Sequence, residues 1–131
     1  MKSLFDSSAI FRAIKESRIE LLAGNFTLEL ARYELGNIVW KQCALKGKVS
    51  EQEARALVKT IGHTLCTMEV MSTAGNEEAI LNAAIELKVT FYDASYAFFA
   101  KAKGLRLITE DARLIKKMAP AMDVSTLDGI A

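Results

Sequence analysis

Histidine occurs once, proline once and cysteine twice in the 131 residues. Each scarcity removes a class of explanation. With His63 alone, and Cys43 and Cys66 well apart, there is no zinc-ligand spacing and no disulfide framework. A reduced, cytoplasmic setting is therefore expected. His63 reads as a helix-surface residue and the cysteines as small core residues. Pro120 is the only proline, and no Ser/Gly-rich linker, low-complexity tract or repeat interrupts the chain, so a single domain over residues 1–131 is expected. The net charge is only +1. No overall field advertises nucleic acid or membrane, although a local patch can hide inside a neutral total. Long apolar runs are missing as well. Lys2 and Asp6 interrupt the first, so no signal peptide is expected, and none approaches the roughly 18–20 residues of a membrane span. The phosphate-cradling loops G-x-x-x-x-G-K-[ST] and G-x-G-x-x-G are absent.

What is present is a repeated alternation of short apolar runs with amphipathic stretches. "KSLFD" reads as a strand ending near Asp6, followed by a helix through "AIFRAIKES" that Ser7 or Ser8 can cap. "IELLAGNFT" reads as a second strand and a turn. "LELARYELGNIVWKQCALKG" reads as one long helix stopping at Gly47. "SEQEARALVKTIGHTL" is a helix with Ser50 as N-cap and Glu53 completing a capping box. "TMEVMS" is a strand, "NEEAILNAAIELK" a helix capped by Asn76, and "VTFYDASYAFFAKAKG" a further helix ending at Gly104. "LRLIT", "DARLIKKMA" and "MDVSTL" give strand, helix, strand. Such alternation predicts an α/β protein with a mainly parallel sheet covered by helices. Ligands of such sheets bind beyond the carboxyl ends of the strands, where the strand order switches.

Four carboxylates look out of place in this pattern. Asp6 and Asp111 each follow a strand and so fall on the binding rim. Glu34 lies beside the apolar stripe of Leu30, Ala31 and Ile38, with Asn37 one turn away as a possible hydrogen-bond partner. Asp93 opens an otherwise apolar, aromatic helix. Each has a structural explanation. Asp6 and Asp111 fit as N-caps, Thr90 and Asp93 fit a capping box, and Glu34 can reach solvent at the edge of its stripe. Gathered at one end of a sheet, however, the four would repel one another unless a cation intervened. Hard divalent cations, Mg²⁺ or Mn²⁺, suit an all-carboxylate set, and such sites hydrolyse phosphodiesters.

The segments "LFDSSAI", "YELGNIVWK", "TFYDASYAFFAK" and "LITEDARL", in this order and at these separations, resemble a PIN-domain ribonuclease, most closely the VapC-type toxins of toxin–antitoxin pairs. The resemblance covers essentially the whole chain. It implies a PIN-like α/β/α sandwich with a central five-stranded sheet. It implies Mg²⁺- or Mn²⁺-dependent endoribonuclease activity at Asp6, Glu34, Asp93 and Asp111. Asn37, Ser8 and Thr109 then match polar positions beside the acids. The implied partners are RNA, a second copy of the chain and a small antitoxin.

RNA requires cationic contacts, and Arg12, Lys15, Arg113 and Lys116 are the candidates because their helices start beside Asp6 and Asp111. A solvated helix face is the simpler reading of each. The aromatics Tyr92, Tyr96, Phe98 and Phe99 read as helix-packing residues rather than base-stacking platforms. Apolar faces on the helices around residues 28–65 are candidates for dimer or antitoxin contacts. Three alternatives stay open. A receiver-like signalling module would pair two adjacent acids and place a lysine late, and "MDVSTLDGIA" has none. An aspartyl-phosphate phosphatase would want D-x-D at Asp6. A non-catalytic binding domain of the same fold differs only in activity.

Overall fold

The computed structural model describes residues 2–130. Five strands form one all-parallel sheet: β1 (Ser3–Phe5), β2 (Phe26–Leu28), β3 (Glu69–Met71), β4 (Arg106–Ile108) and β5 (Val124–Ser125), in the spatial order β3-β2-β1-β4-β5. Six helices connect and cover them: α1 (Ser7–Lys15), α2 (Leu30–Trp40), α3 (Glu51–Cys66), α4 (Glu77–Leu87), α5 (Phe91–Ala102) and α6 (Ala112–Met118). From β1 the chain winds outward through β2 and β3, then returns to β4 on the other side of β1. The switch in strand order therefore lies between β1 and β4, where a site is expected in this class of sheet.

Alternation along the central strands builds two cores. Phe5 and Ile108 point to one face and join Ala9, Ile10, Ala31, Leu35, Val39, Ile61 and Leu65 of α1, α2 and α3. Leu4 and Leu107, their neighbours in sequence, point to the other and join Ile80, Ala84, Ala94, Ala97, Ala100 and Leu114 of α4, α5 and α6. Both faces of the parallel sheet are thus covered, and its short strands read as continuous apolar runs. The result is the expected α/β/α sandwich.

Local sequence accounts for most of the boundaries. Ser50 accepts from the Glu53 amide while the Glu53 carboxylate accepts from the Ser50 amide, which is the anticipated capping box. Gly47 (φ +59°) and Gly104 (φ +65°) take up the left-handed conformation after helical segments. Several expectations need correction. The α1 cap is Asp6, whose Oδ1 accepts from the Ala9 amide at 3.0 Å, not Ser7 or Ser8. The run "IELL" is a single 3-10 turn over Ile19–Leu21 rather than a strand. There the drive is burial of Leu22, and the strand begins only after Gly24 (φ +75°) turns the chain. The long second helix is interrupted by a π-helical turn over Lys41–Leu45. Asn76 makes no side-chain cap; instead the Glu77 carboxylate accepts from the Gly75 amide. Cys66 is exposed and Cys43 half-buried, so neither belongs to the core. No helix among the described residues is long and apolar enough to cross a membrane.

Candidate metal and active site

Two strand ends frame the site. The Asp6 amide donates to the Ile108 carbonyl at 3.0 Å, which ties the end of β1 to the end of β4. The Ser8 hydroxyl donates to Asp6 Oδ1 at 2.6 Å and accepts from the Glu110 amide at 2.9 Å, and it stands 3.3 Å from the Thr109 hydroxyl. Thr109 Oγ1 in turn accepts from the Asp111 amide at 3.2 Å. Asp111 caps α6 through Oδ1, accepting from the Arg113 and Leu114 amides. Ser8 and Thr109 therefore stitch the two acid-bearing loops together, as the polar positions expected beside the acids would.

The capping bonds of Asp6 and Asp111 fall on Oδ1, so capping itself does not use Oδ2 of either residue. The capping and site readings of these two residues are compatible. At Asp93 the anticipated box is half formed: Thr90 caps α5 by accepting from the Asp93 amide at 3.1 Å.

Glu34 brings in the opposite wall. Its partner is the Tyr96 hydroxyl, which donates to Oε1 at 2.7 Å. Asn37, expected in that role, is exposed and makes no side-chain hydrogen bond among the described residues. Tyr96 is 1% exposed and packs in the α4–α6 core. It reads as core by spacing, and nothing in spacing distinguishes a packed tyrosine from one whose hydroxyl reaches a carboxylate. Tyr92 is the reverse case. Expected to pack, it is 59% exposed.

The acids form an electrostatic chain. Asp6, 5% exposed, is pushed up to about 6, chiefly by burial and also by the Glu34 charge, against the Ser8, Thr109 and Ala9 hydrogen bonds. Burial raises Glu34 too, with Asp93 adding to it and the Tyr96 and Ser7 hydroxyls opposing. Burial and then the Asp111 charge raise Asp93, while the Thr90 hydroxyl and then Arg113 and Lys117 pull it down. The four are neighbours in one field. They are not closed into a tight cluster, for no three Asp, Glu, His or Cys side chains among the described residues converge on a single point.

This geometry makes a prediction for Tyr96→Phe. Removing a donor that stabilises the ionised form raises the Glu34 carboxyl further. The pH at which any carboxylate-dependent activity switches on should move upward while the fold stays intact. Activity measured from pH 5 to 9 against wild type checks this, and an unmoved profile would show that the hydroxyl only fills space.

The basic candidates separate. Arg12 is held by the Glu16, Glu110 and Asp128 carboxylates, which raise its pKa. Lys15 stands over the Phe11 ring, 5.5 Å from its centroid. Arg113 lines a cleft of about 380 Å³ beside Asp93 and Asp111, together with Lys88, Val89, Thr90, Leu114 and Lys117. Lys116 does not line it. Lys117, which nothing in the sequence singled out, lines it in place of Lys116.

The sequence matches the PIN domain profile over residues 3–119. The chain belongs to the PIN-domain family. Among curated proteins it is 40% identical over 100 residues to "Exonuclease VapC9" of Pyrobaculum aerophilum, covering 76% of this chain and 71% of that one. It is 34% identical over 96 residues to "Ribonuclease VapC3" of the same organism, covering 73% and 72%. Among solved structures, PAE2754 from Pyrobaculum aerophilum superposes with a TM-score of 0.82 at 26% identity, covering 99% of this chain and 92% of that one. A toxin–antitoxin complex from Klebsiella pneumoniae superposes at 0.67 and 18% identity, over 95% and 97% of the two chains, and shares the PIN-like fold.

The four acids offer an all-oxygen, anionic donor set, the type that suits a hard divalent cation, and it includes carboxylate oxygens that helix capping does not use.

Proposed function

We propose that this PIN domain is a Mg²⁺- or Mn²⁺-dependent endoribonuclease and the toxin of a toxin–antitoxin pair. The observation that supports the reading best is the pair of acid-bearing strand ends at the sheet's switch point, where Ser8 and Thr109 tie Asp6 to the Asp111 loop and Asp93 shares a cleft with Asp111. Asp6, Glu34, Asp93 and Asp111 would hold the metal through oxygen. The bound cation would supply a more acidic attacking water and stabilise negative charge on the reacting phosphate. The chain's own part is positional. Ser8 and Thr109 fix the Asp6 and Asp111 loops, Tyr96 holds Glu34, and Oδ2 of Asp6 and of Asp111, unused by capping, would ligate or accept a proton from water. Placement of Asp93 on α5 supports a role beyond capping, since Thr90 already performs the cap.

Antitoxin pairing and homodimerisation are further parts of this reading. The curated relatives carry VapC names, and a structural neighbour is described as a toxin–antitoxin complex. Tyr33, Trp40, Leu45 and Val58, on α2, the π turn and α3, are large apolar side chains exposed to solvent. Exposed apolar side chains of this kind support a contact surface for either partner on this part of the chain.

The test is cleavage of cellular and transfer RNA by purified protein in EDTA, Mg²⁺ or Mn²⁺. Cuts are expected only with metal, and none from folded Asp93→Asn. If folded protein binds Mn²⁺ by calorimetry yet leaves every RNA intact, the nuclease reading fails and a binding domain of the same fold takes its place.

A further inference from the structure

The cleft between the start of α5 and α6 is lined by charges of both signs. Asp93 and Asp111 share it with Lys88, Arg113 and Lys117, alongside Val89, Thr90 and the buried Leu114. Its volume of about 380 Å³ lies in the range of small-ligand sites. The cations here are unusual for this protein. Arg12, Arg18, Arg32, Arg55 and Arg106 all make ion pairs, whereas Arg113, beside two carboxylates, makes none among the described residues. Lys117 is fixed instead of mobile. Its Nζ donates to the Lys88 carbonyl at 2.7 Å, a carbonyl presented by a left-handed residue (φ 57°) just after α4. An unpaired guanidinium and a tethered ammonium in one cleft make a binding site for an anion.

We propose that this cleft is a subsite for the backbone phosphate adjacent to the bond being cut in single-stranded RNA, with Arg113 and Lys117 as its cationic residues. The position of that phosphate next to the cut bond rests on the nuclease reading, whereas capture of a backbone phosphate does not. Arg113 suits the anion's fork geometry and Lys117 adds a point charge. Lys88 contributes a third charge at the rim.

The test uses the full chain and a labelled, unstructured oligoribonucleotide with a 5′-hydroxyl. Binding is followed by anisotropy in EDTA across a salt series, and cleavage by initial rates in Mg²⁺. Arg113→Gln and Lys117→Gln should each weaken binding about fivefold at 0.1 M salt and lower the slope of log K against log salt by about 0.7. In cleavage each should raise KM by a similar factor with kcat little changed. Lys117→Arg should restore both values, and Lys59→Gln, on exposed α3, should alter neither. Wild-type slopes and KM in the two neutral variants overturn the subsite while leaving the nuclease reading standing. A wild-type protein that binds with the expected slopes but cuts nothing keeps the phosphate site and sinks the nuclease reading. If a 5′-phosphate tightens wild-type binding, and only that increment disappears in Arg113→Gln, the cleft takes a chain end and the internal-phosphate assignment is wrong.

Discussion

Asp6→Asn should remove metal-dependent cleavage and, at neutral pH without metal, make the protein more stable than wild type. Asparagine keeps the Oδ1 acceptor, so the cap on Ala9 and the Ser8 bond survive. It is as good an N-cap as aspartate. What it loses is the charge. The Asp6 pKa is raised from 3.8 to about 6 in the fold. Below about pH 4 the carboxyl is protonated in both states and contributes no pH-dependent term. Between 4 and 6 the folded protein binds more protons than the unfolded chain, so stability falls as pH rises through that window. Above it the loss is complete, on the order of 2–3 kcal/mol at 1.36 kcal/mol per pKa unit. Glu34 and Asp93 are raised too, and act in the same direction. Urea melts of the metal-free proteins at pH 4 and 7.5 should show a smaller pH dependence in Asp6→Asn, with the variant ahead at 7.5. Adding Mn²⁺ should reverse the order, stabilising wild type by mass action and the variant little. Activity should fall by on the order of 10²–10³. A variant that is less stable than wild type at pH 7.5 without metal would mean that the Asp6 carboxylate is held by the fold rather than strained in it.

How far the sequence could be read varied with the range of the interaction. Leu4/Phe5 and Leu107/Ile108 announced a strand buried on both faces, and Asp6 and Asp111 announced helix starts, because pleat and cap are local. The placement of both acids on the carboxyl-end rim followed from their positions just after strands, whereas the pairing of β1 with β4 that puts them side by side is visible only in the structure. The second strand was misread over "IELL" because apolar residues alone do not separate a strand from a turn that inserts a leucine into the core. Tyr96 was legible as core but not as the partner of Glu34, 62 residues earlier. Arg12 was legible as a cation near the site but not as a committed one. Two of its carboxylate partners, Glu110 and Asp128, lie 98 and 116 residues away. No spacing rule distinguishes a guanidinium awaiting phosphate from one already holding a carboxylate.

Glu110→Ala should destabilise the protein and slow cleavage together. Glu110 lies between Thr109 and Asp111, and its side chain is 21% exposed. One carboxylate oxygen accepts from Arg12, and the other accepts from the Leu127 amide at 2.7 Å. Leu127 is fully buried in the core that packs on α1. Arg12 and Arg18 both reach Asp128 on the same closing turn. The next residue, Gly129, is seated so closely on Ser125 that a Cβ would collide with its hydroxyl. Glu110 thus latches the last turn of the chain to the loop carrying Thr109 and Asp111. Alanine leaves the Leu127 amide without an acceptor, which costs about 1–3 kcal/mol. Glutamine retains a carbonyl for that amide and should cost less. The same loop places Asp111, and the Glu110 amide bonds the Ser8 hydroxyl that fixes Asp6. Displacement by a fraction of an ångström should therefore lower kcat, roughly tenfold by the sensitivity of catalysis to position, with KM near wild type. Arg12→Gln gives the complementary result. A positioning role lowers the urea midpoint and leaves KM alone. A higher KM at an unchanged midpoint would return Arg12 to the RNA-binding surface and take the latch away from Glu110.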